Sequence, residues 1–359
     1  MKAGNLNSLK IEGYKSIKSL EIEFSNINII IGANGVGKSN FINFFNFVRK
    51  IIDKELEFFT AKSGGVNKIL HFGKKITNQL NFDLKFPPNR YTVSLIPTDD
   101  DKFIFFDEST YIDSSCKVFL ENKGNKESNL PIYDPQGYEV NQYILYYIKA
   151  WKVYHFHDTS TNSPMKQPCR IDDYYSFDVN GGNLPAFLFF IKNKHQSSYK
   201  KIVRTIQKIA PYFHDFILEP DIINKEMIKL RWKHKENDFY FDANDLSDGT
   251  IRFICLVTLL LQPNLPKIIL LDEPELGLHP FALNVLASIF RVISQKTQII
   301  ASTQSSTFAD YFDIEDIIVA NSVENTTKFE RLDREKYKEW LEEYSIGEMW
   351  QKNLIGANP

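Results

Sequence analysis

The chain has 359 residues, enough to bury a full hydrophobic core in one large or two modest domains, so its stability needs no disulfide or metal. Lysine and arginine number 43 against 45 aspartates and glutamates, which excludes a global field that would attract nucleic acid or an anionic membrane. The polar first ten residues lack the pattern of a secretory signal, and the longest apolar run, residues 251–261, is too short to span a bilayer. Three separated cysteines, Cys116, Cys169 and Cys255, indicate buried free thiols in a reducing compartment. We therefore expect a cytoplasmic protein without membrane contact.

The first predicted elements are a β-hairpin and a strand-loop-helix unit. Alternating apolar residues over 9–24, on either side of residues 13–19, predict a β-hairpin or paired edge strands. The β-branched run over 27–31 predicts a buried parallel strand that ends at Gly32. Apolar residues at helical spacing follow over 39–52.

The middle of the chain is predicted to pass from sheet to loop to helix. Alternation over 79–120, broken by turn residues, predicts an antiparallel β layer. Residues 121–183 are rich in Asn, Ser, Pro and Gly, and 159–168 are predicted to form a mobile loop. A helix is predicted over 184–208 and two strands over 226–241. Further along, the patterns predict helices over 250–261 and after Pro280, with buried strands over 267–271 and 297–302.

A glycine-rich motif lies between the predicted buried strand and the helix after it. Residues 32–39, GANGVGKS, match the P-loop pattern GxxxxGKS. In such a loop backbone N–H groups close around phosphate oxygens, and the helix N-terminus adds positive potential. Lys38 is expected to neutralise the β- and γ-phosphates of ATP, and Ser39 to ligate Mg²⁺. The predicted nucleotide-binding residues here are Gly32, Asn34, Gly35, Val36, Gly37, Lys38, Ser39 and Asn40.

A second motif is an apolar strand that ends in two carboxylates. Residues 268–271, IILL, lead to Asp272 and Glu273, the Walker B arrangement of P-loop enzymes. We expect Asp272 to orient the Mg²⁺ shell. A carboxylate at the next position can polarise the attacking water, so Glu273 is the predicted general base.

The pentapeptide LSDGT, residues 246–250, opens the predicted helix before Walker B. It is similar to the signature LSxGQ of ABC ATPases, and it has the same place in the order of motifs. The resemblance implies that Ser247, Gly249 and the helix N-terminus contact the γ-phosphate bound by the opposite protomer. A helix N-terminus is an anion site, which suits this role. The implied assembly is a head-to-tail homodimer, or a higher even-numbered homo-oligomer.

Two further segments extend the resemblance. Residues 273–280, EPELGLHP, resemble the D-loop region of stand-alone ATPases related to RecF, SMC heads and OLD-family proteins. The last core strand of those proteins usually ends in a switch histidine, whereas Gln304 occupies the matching position here. Glutamine takes no proton charge, but it can orient water or bind a γ-phosphate. Gln304 is therefore the second predicted catalytic residue, and we expect slow or differently gated hydrolysis.

The whole chain, from GYKSI to GEMWQKNLIG, resembles one bacterial family of ATP-binding proteins. The resemblance implies an α/β, ABC-type P-loop ATPase with a parallel core sheet, an antiparallel β layer and a helical lobe that carries the signature. We expect a single domain over 1–359, with lobe I at about 1–120 and 262–359 and an inserted lobe at about 121–261. Relatives often lie beside small nuclease-like genes in antiphage loci, which implies a protein effector encoded nearby. Lys15 matches a basic residue that approaches the phosphates in SMC-like heads, and Gln142 is a candidate Q-loop residue.

Two weaker patterns have competing interpretations. Residues 229–235, KLRWKHK, place four cations on one strand face, with Leu230 and Trp232 on the other. A solvated face is the favoured interpretation, and contact with DNA or RNA is the alternative. Residues 153–158, VYHFHD, place His155 and His157 on one face beside Asp158 without an identifiable third metal ligand, so a hydrogen-bonded structural pair is favoured.

The leading hypothesis is an ATP-switched dimer that hydrolyses ATP with Mg²⁺ and regulates an effector or a nucleic-acid transaction in bacterial antiphage defence. An ATP-dependent scaffold with little hydrolysis and a RecF-like repair ATPase are the alternatives. An OLD-type ATPase-nuclease would need a TOPRIM domain, for which too few residues follow Gln304. An SMC- or RecN-like DNA organiser would need long heptad arms, which the sequence lacks. A transporter motor would need a permease on another chain.

Overall fold

The computed structural model describes residues 5–112, 116–131 and 139–357. The chain divides into two compact units. Unit 1 comprises residues 1–153, 266–270 and 298–359, and unit 2 comprises residues 154–265 and 271–297. The chain therefore passes between the units four times.

The first elements confirm the predicted hairpin and strand-loop-helix unit. They are β1 (Ser8–Tyr14), β2 (Ile17–Glu23), β3 (Ile27–Ile31), α1 (Lys38–Ile52) and α2 (Leu56–Lys62). β1 and β2 pair antiparallel, with Leu9 opposite Ile22. Every residue of β3 is buried, as the β-branched run predicts.

The predicted antiparallel layer follows as β4 (Leu80–Phe86), β5 (Asn89–Pro97), β6 (Phe103–Ile112) and β7 (Cys116–Phe119). In this sheet the strands have the order β2, β1, β4, β5, β6, β7. Burial alternates along β4, so one face packs on the core. The expectation of buried thiols fails for Cys116, which is exposed on β7 at the sheet edge, whereas Cys255 is buried.

Helices in the next segment differ from the prediction at two places. The elements are α3 (Glu139–Lys149), β8 (Val153–Tyr154), β9 (Cys169–Arg170), α4 (Leu184–Lys194) and α5 (Gln196–Ile209). Helix α3 lies within a segment predicted to be irregular, although Val140, Ile144 and Ile148 are buried at helical spacing. The single helix predicted over 184–208 is two helices, because the backbone of His195 leaves the helical region, at φ −138° and ψ 58°.

The elements after α5 are β10 (Phe213–Ile217), β11 (Met227–Ile228), β12 (Arg231–His234), β13 (Tyr240–Asp242), α6 (Asp248–Leu261), β14 (Ile268–Asp272) and α7 (Pro280–Ile293). In unit 2, β10, β12 and β13 form a small antiparallel sheet. Helix α6 is buried at nearly every position from Thr250 to Leu260, so it forms the centre of this unit. The loop predicted over 159–168 contains a 3₁₀ turn at Pro164–Lys166 and is held by internal hydrogen bonds, including Ser163 Oγ to Asp158 O at 2.6 Å.

The last elements are β15 (Gln298–Ser302), α8 (Ser306–Ala309), β16 (Ile317–Val323), β17 (Thr326–Arg331), α9 (Lys338–Glu343) and α10 (Ile346–Gln351). β17, β16, β3, β15 and β14 lie side by side in that order, and β3 is parallel to both β15 and β16. The register places Ser302 of β15 and Ile318 of β16 beside Ile30 of β3. The predicted parallel core sheet is thereby confirmed.

The core of unit 1 is built on the phenylalanines of α1. Phe41, Phe44, Phe45 and Phe47 are fully buried, and the Phe44 ring lies edge-on to Phe82 of β4 at 5.5 Å. Burying each such side chain stabilises the fold by about 1.5–3 kcal/mol, so this cluster fixes α1 on the β layer. In the described part of the chain no helix is both long and apolar enough to cross a bilayer.

Candidate nucleotide-binding site

The P-loop connects β3 to α1 in unit 1. β3 ends at the carboxyl edge of the parallel sheet, which is where open α/β sheets bind ligands. Helix α1 begins at Lys38 and has no acidic residue in its first turn. The positive potential of this helix N-terminus is therefore not offset by a neighbouring carboxylate of that turn.

Lys38 is held inside its own loop. The residue is 5% exposed, and Nζ donates to Gly32 O at 2.6 Å and Ala33 O at 2.9 Å. A buried ammonium requires such acceptors. Asn34 and Ser39 are exposed, so the hydroxyl at the start of α1 is accessible from solvent. A glycine-rich backbone, a fixed cation and an accessible hydroxyl fit a phosphate group that carries Mg²⁺.

Two hydroxyl groups that sequence analysis missed brace the P-loop at Gly37. Gly37 has a φ of +109°, and a Cβ there would overlap Thr327 Oγ1 and lie 2.6 Å from Ser16 Oγ. Thr327 Oγ1 donates to Val36 O at 2.7 Å, and Asn40 Nδ2 donates to Ser16 Oγ at 3.0 Å. Only glycine leaves room for this approach. Ser16 lies in the GYKSI segment noted in the sequence, but the contact of Thr327 had no local signal.

Gln304 lies at the same sheet edge as the P-loop. It follows β15 by two residues, and Thr303 N donates to Ile30 O of β3 at 2.9 Å. The side chain of Gln304 is exposed. The parallel register therefore places the predicted water-orienting residue beside the start of the loop.

Lys15 lies in the turn between β1 and β2, next to Ser16. Its backbone has a φ of +45°, and its carbonyl accepts from His71 Nδ1 at 2.7 Å. Its Nζ lies 5.6 Å from the centre of the Tyr14 ring, and burial lowers the pKa of the Lys15 ammonium. Gln142, the candidate Q-loop residue, is exposed on α3.

The Walker B carboxylates follow the apolar part of β14. Glu273 has a φ of +48°, a left-handed conformation that costs a non-glycine residue about 1–3 kcal/mol. A turn begins there, since Leu276 N donates to Glu273 O at 3.2 Å. His157 Nε2 lies 2.9 Å from Asp272 O, and because a carbonyl only accepts, Nε2 is the donor. The main chain at the predicted base is thus held on both sides.

The signature forms the exposed N-terminus of α6 in unit 2. Ser247 Oγ accepts from Thr250 N at 3.3 Å and contacts Thr250 Oγ1 at 2.8 Å, so the serine is the N-cap. A Cβ on Gly249 would lie 2.5 Å from Gly277 O. The signature and the D-loop therefore approach each other backbone to backbone.

Arg252, one turn into α6, was not identified from the sequence. Its guanidinium donates to Leu276 O of the D-loop at 3.2 Å, to Phe156 O at 3.0 Å and to His157 O at 2.7 Å. Three backbone acceptors satisfy most of the donors of the group. Arg252 thus connects the signature helix to the D-loop and to the histidine segment.

An open cleft of about 710 Å³ lies beside this tip, within unit 2. Its size is in the usual range for ligand sites. Its lining combines the signature, the D-loop and the start of α7: Ser247, Asp248, Gly249, Thr250, Gly277, Leu278, His279, Phe281, Ala282, Ile209 and Tyr212.

The basic face of KLRWKHK is compensated by carboxylates. Leu230 and Trp232 are buried, as the alternation predicts. Three of the four cations lie close to acidic side chains, which favours the solvated interpretation over a nucleic-acid contact. These pairs are Lys229 with Asp242 at 3.3 Å, Arg231 with Asp242 at 3.8 Å and Lys233 with Asp238 at 3.0 Å.

His155 and His157 lie beyond the end of β8, with ring centres 6.3 Å apart. Over residues 5–112, 116–131 and 139–357, no group of three or more His, Cys, Asp or Glu side chains is placed to hold a metal ion. His157 has the structural hydrogen bond that the sequence favours, whereas His155 is exposed.

Comparisons with solved structures show the same fold at low identity. An Smc head bound to the C-winged helix domain of ScpA is 15% identical, with 93% of this chain and 99% of that chain covered and a TM-score of 0.58. An Smc head with an extended coiled coil bound to the C-terminal domain of ScpA, from Pyrococcus furiosus, is 15% identical, with 94% and 98% covered and a TM-score of 0.56. An Smc head with a coiled coil and joint, from Pyrococcus yayanosii, is 12% identical, with 94% and 99% covered and a TM-score of 0.52. The predicted ABC-type ATPase fold is thereby confirmed.

No curated protein matches the sequence. A family model does match, over residues 27–310, and its description is "AAA domain, putative AbiEii toxin, Type IV TA system". The matched range contains the P-loop, the signature and the Walker B carboxylates. The chain therefore belongs to this family of AAA-domain P-loop ATPases.

Proposed function

We propose that this protein binds and hydrolyses ATP and that two protomers pair head to tail when ATP is bound. Each ATP then lies between the P-loop of one protomer and the signature tip of the other. The observation that carries the proposal is the exposed, serine-capped N-terminus of α6 beside an open cleft. Such a tip presents backbone N–H groups to an anion brought by a second copy.

The residue roles follow from the chemistry of each group. Lys38 and the glycine-rich backbone of residues 32–40 bind the phosphates, with Lys15, the neighbour of the Ser16 that accepts from Asn40, as an additional cation. By their motifs, Ser39 and Asp272 are each a proposed oxygen ligand for Mg²⁺, which would neutralise charge on the phosphate oxygens when bound. Glu273 takes the proton of the attacking water, and Gln304 orients that water.

A scaffold with little hydrolysis is the second candidate, and Gln304 favours it. A glutamine cannot exchange a proton as a switch histidine can. Steady-state ATP hydrolysis by the wild type and by Gln304→His separates the two candidates. If the protein is an ATPase, we expect measurable Mg²⁺-dependent ATP turnover by the wild type. If it is a scaffold, we expect the wild type to bind ATP without turnover.

We propose further that closure of the dimer regulates a nuclease-like protein effector in antiphage defence. The family description names a toxin and a toxin–antitoxin system, and two of the similar Smc heads were solved with a domain of ScpA bound. Both are consistent with an ATPase that acts through a partner. Purification of the native complex with the product of a neighbouring gene tests the partner directly.

Light scattering with and without ATP tests the dimer. We expect Lys38→Ala to lose nucleotide binding, because the buried ammonium is removed, and Glu273→Gln to accumulate an ATP-bound dimer, because the base is removed without loss of volume. Lys200→Ala, at an exposed position of α5, is the control for loss of a lysine. If light scattering gives the mass of a single protomer for Glu273→Gln both with and without ATP, the proposal is contradicted.

A further inference from the structure

We propose that His157 is a positioning residue that orients the predicted base, Glu273, through the main chain of Asp272. This inference rests on the proposed function, since it assigns Glu273 to ATP hydrolysis. All the residues that carry it belong to unit 2.

The contact is made to the peptide group that joins the two Walker B carboxylates. His157 Nε2 donates to Asp272 O at 2.9 Å. The same planar group contains the N–H of Glu273, so a hydrogen bond at its oxygen fixes the orientation of the whole plane. The orientation of that plane sets the backbone of Glu273, and with it the direction in which the carboxylate leaves the chain.

The backbone of Glu273 needs such support because its conformation is strained. Its φ is +48°, in the left-handed region that side chains other than glycine seldom adopt. Strained residues persist where surrounding contacts determine them, and they concentrate at functional sites. Leu276 N holds the other side of Glu273 by donating to its carbonyl at 3.2 Å. His157 and Leu276 together define the geometry of the base.

His157 is itself fixed by Arg252. The guanidinium donates to His157 O at 2.7 Å and to Phe156 O at 3.0 Å, and the Phe156 side chain is buried. Arg252 also donates to Leu276 O at 3.2 Å. One side chain of the signature helix therefore holds both His157 and Leu276, the two residues whose hydrogen bonds flank Glu273.

His155 provides a matched control from the same motif. His155 is the same residue type and lies two residues earlier in the chain, but it is exposed. Replacement of His155 therefore removes a histidine from this segment without removing the hydrogen bond to Asp272 O.

Steady-state ATP hydrolysis by His157→Gln, His157→Asn and His155→Asn tests the inference. The glutamine amide reaches about as far as Nε2, whereas the asparagine amide is shorter by one methylene, so only glutamine replaces the donor. We expect His157→Asn to lower kcat about tenfold with KM within about twofold, His157→Gln to stay within about threefold of the wild type, and His155→Asn to be unchanged. Equal losses in the Gln and Asn variants, or a loss confined to KM, would overturn the assignment.

Hydrogen exchange in the nucleotide-free protein gives a readout that does not depend on turnover. We expect the backbone amides of Glu273, Glu275 and Leu276 to exchange faster in His157→Asn than in the wild type or His157→Gln. His157→Thr is a second short polar variant if the asparagine variant does not fold. If the wild type has no ATPase activity, the proposed function is wrong, but hydrogen exchange still tests whether His157 holds the main chain at Glu273. Unchanged exchange in both short variants would show that His157 does not hold the Walker B main chain.

Discussion

Replacement of Gly249 by alanine tests whether the signature and the D-loop must touch. The new Cβ would lie 2.5 Å from Gly277 O, which is backbone and cannot rotate away. The two segments would have to separate by about 0.5–1 Å, and overpacking of this kind costs about 1–3 kcal/mol. The better helix propensity of alanine returns at most about 1 kcal/mol. With a cost in the middle of that range, about 2 kcal/mol, we expect a net loss of about 1–2 kcal/mol in the free energy of unfolding.

Urea unfolding and ATP-dependent light scattering measure the two consequences. Gly182→Ala is the matched control in the same unit, because its nearest neighbours are side-chain atoms at 3.2–3.4 Å. We expect Gly249→Ala to lose more stability than the control and to weaken the ATP-dependent dimer, since the signature tip moves. A Gly249→Ala variant as stable as the wild type, with an unchanged dimer, would refute the reasoning.

Three more predictions concern the P-loop, pH and the basic strand. Gly37→Ala should lower the ATP affinity measured by calorimetry at least tenfold. The alanine Cβ would overlap Thr327 Oγ1 and push the P-loop away from Thr327. An affinity equal to that of the wild type would contradict this prediction. Burial raises the pKa of Asp316 from its ordinary 3.8 to about 6. The protonated carboxyl therefore contributes fully to the free energy of unfolding below pH 3.8, and this contribution is lost as the pH rises through about 6. Asp316→Asn should make the free energy of unfolding in urea depend less on pH over this range. An equally steep dependence in the variant would show that Asp316 is not its cause. Finally, glutamate at all four basic-strand positions should leave DNA affinity and its salt slope unchanged in binding assays, and a smaller slope would indicate phosphate contact; the positions are Lys229, Arg231, Lys233 and Lys235.

The elements that contain the P-loop and signature motifs were predictable because their signals are local. A buried strand, a glycine loop and a helix follow one another at residues 27–52, and the structure has them within one residue of the predicted ends. Helix α6 begins at Asp248, close to the predicted start, because Ser247 Oγ accepts from the backbone N–H of Thr250 in the first turn.

Contacts between distant segments were not predictable from one sequence. Thr327 reaches Val36 across 291 residues, and His157 reaches Asp272 across 115. The periodicity of the local sequence does not indicate such pairs, because they depend on the order of the strands in the sheets. The sequence therefore indicated the motifs and their candidate site residues, but not the distant residues that contact them in the fold.

Trans-association of two inactive variants tests the shared site most directly. Lys38→Ala lacks the proposed phosphate-binding cation, and Ser247→Arg is designed to block the N-terminus of α6, so we expect that neither variant closes a site with itself. Both carry Glu273→Gln to prevent hydrolysis, and each has a different affinity tag. In a mixed dimer the P-loop of one variant meets the intact signature of the other. We predict ATP-dependent co-purification of the two variants in the mixture and no ATP-dependent self-association of either alone. Absence of that association, while the Glu273→Gln parent still dimerises with ATP, would contradict the shared site.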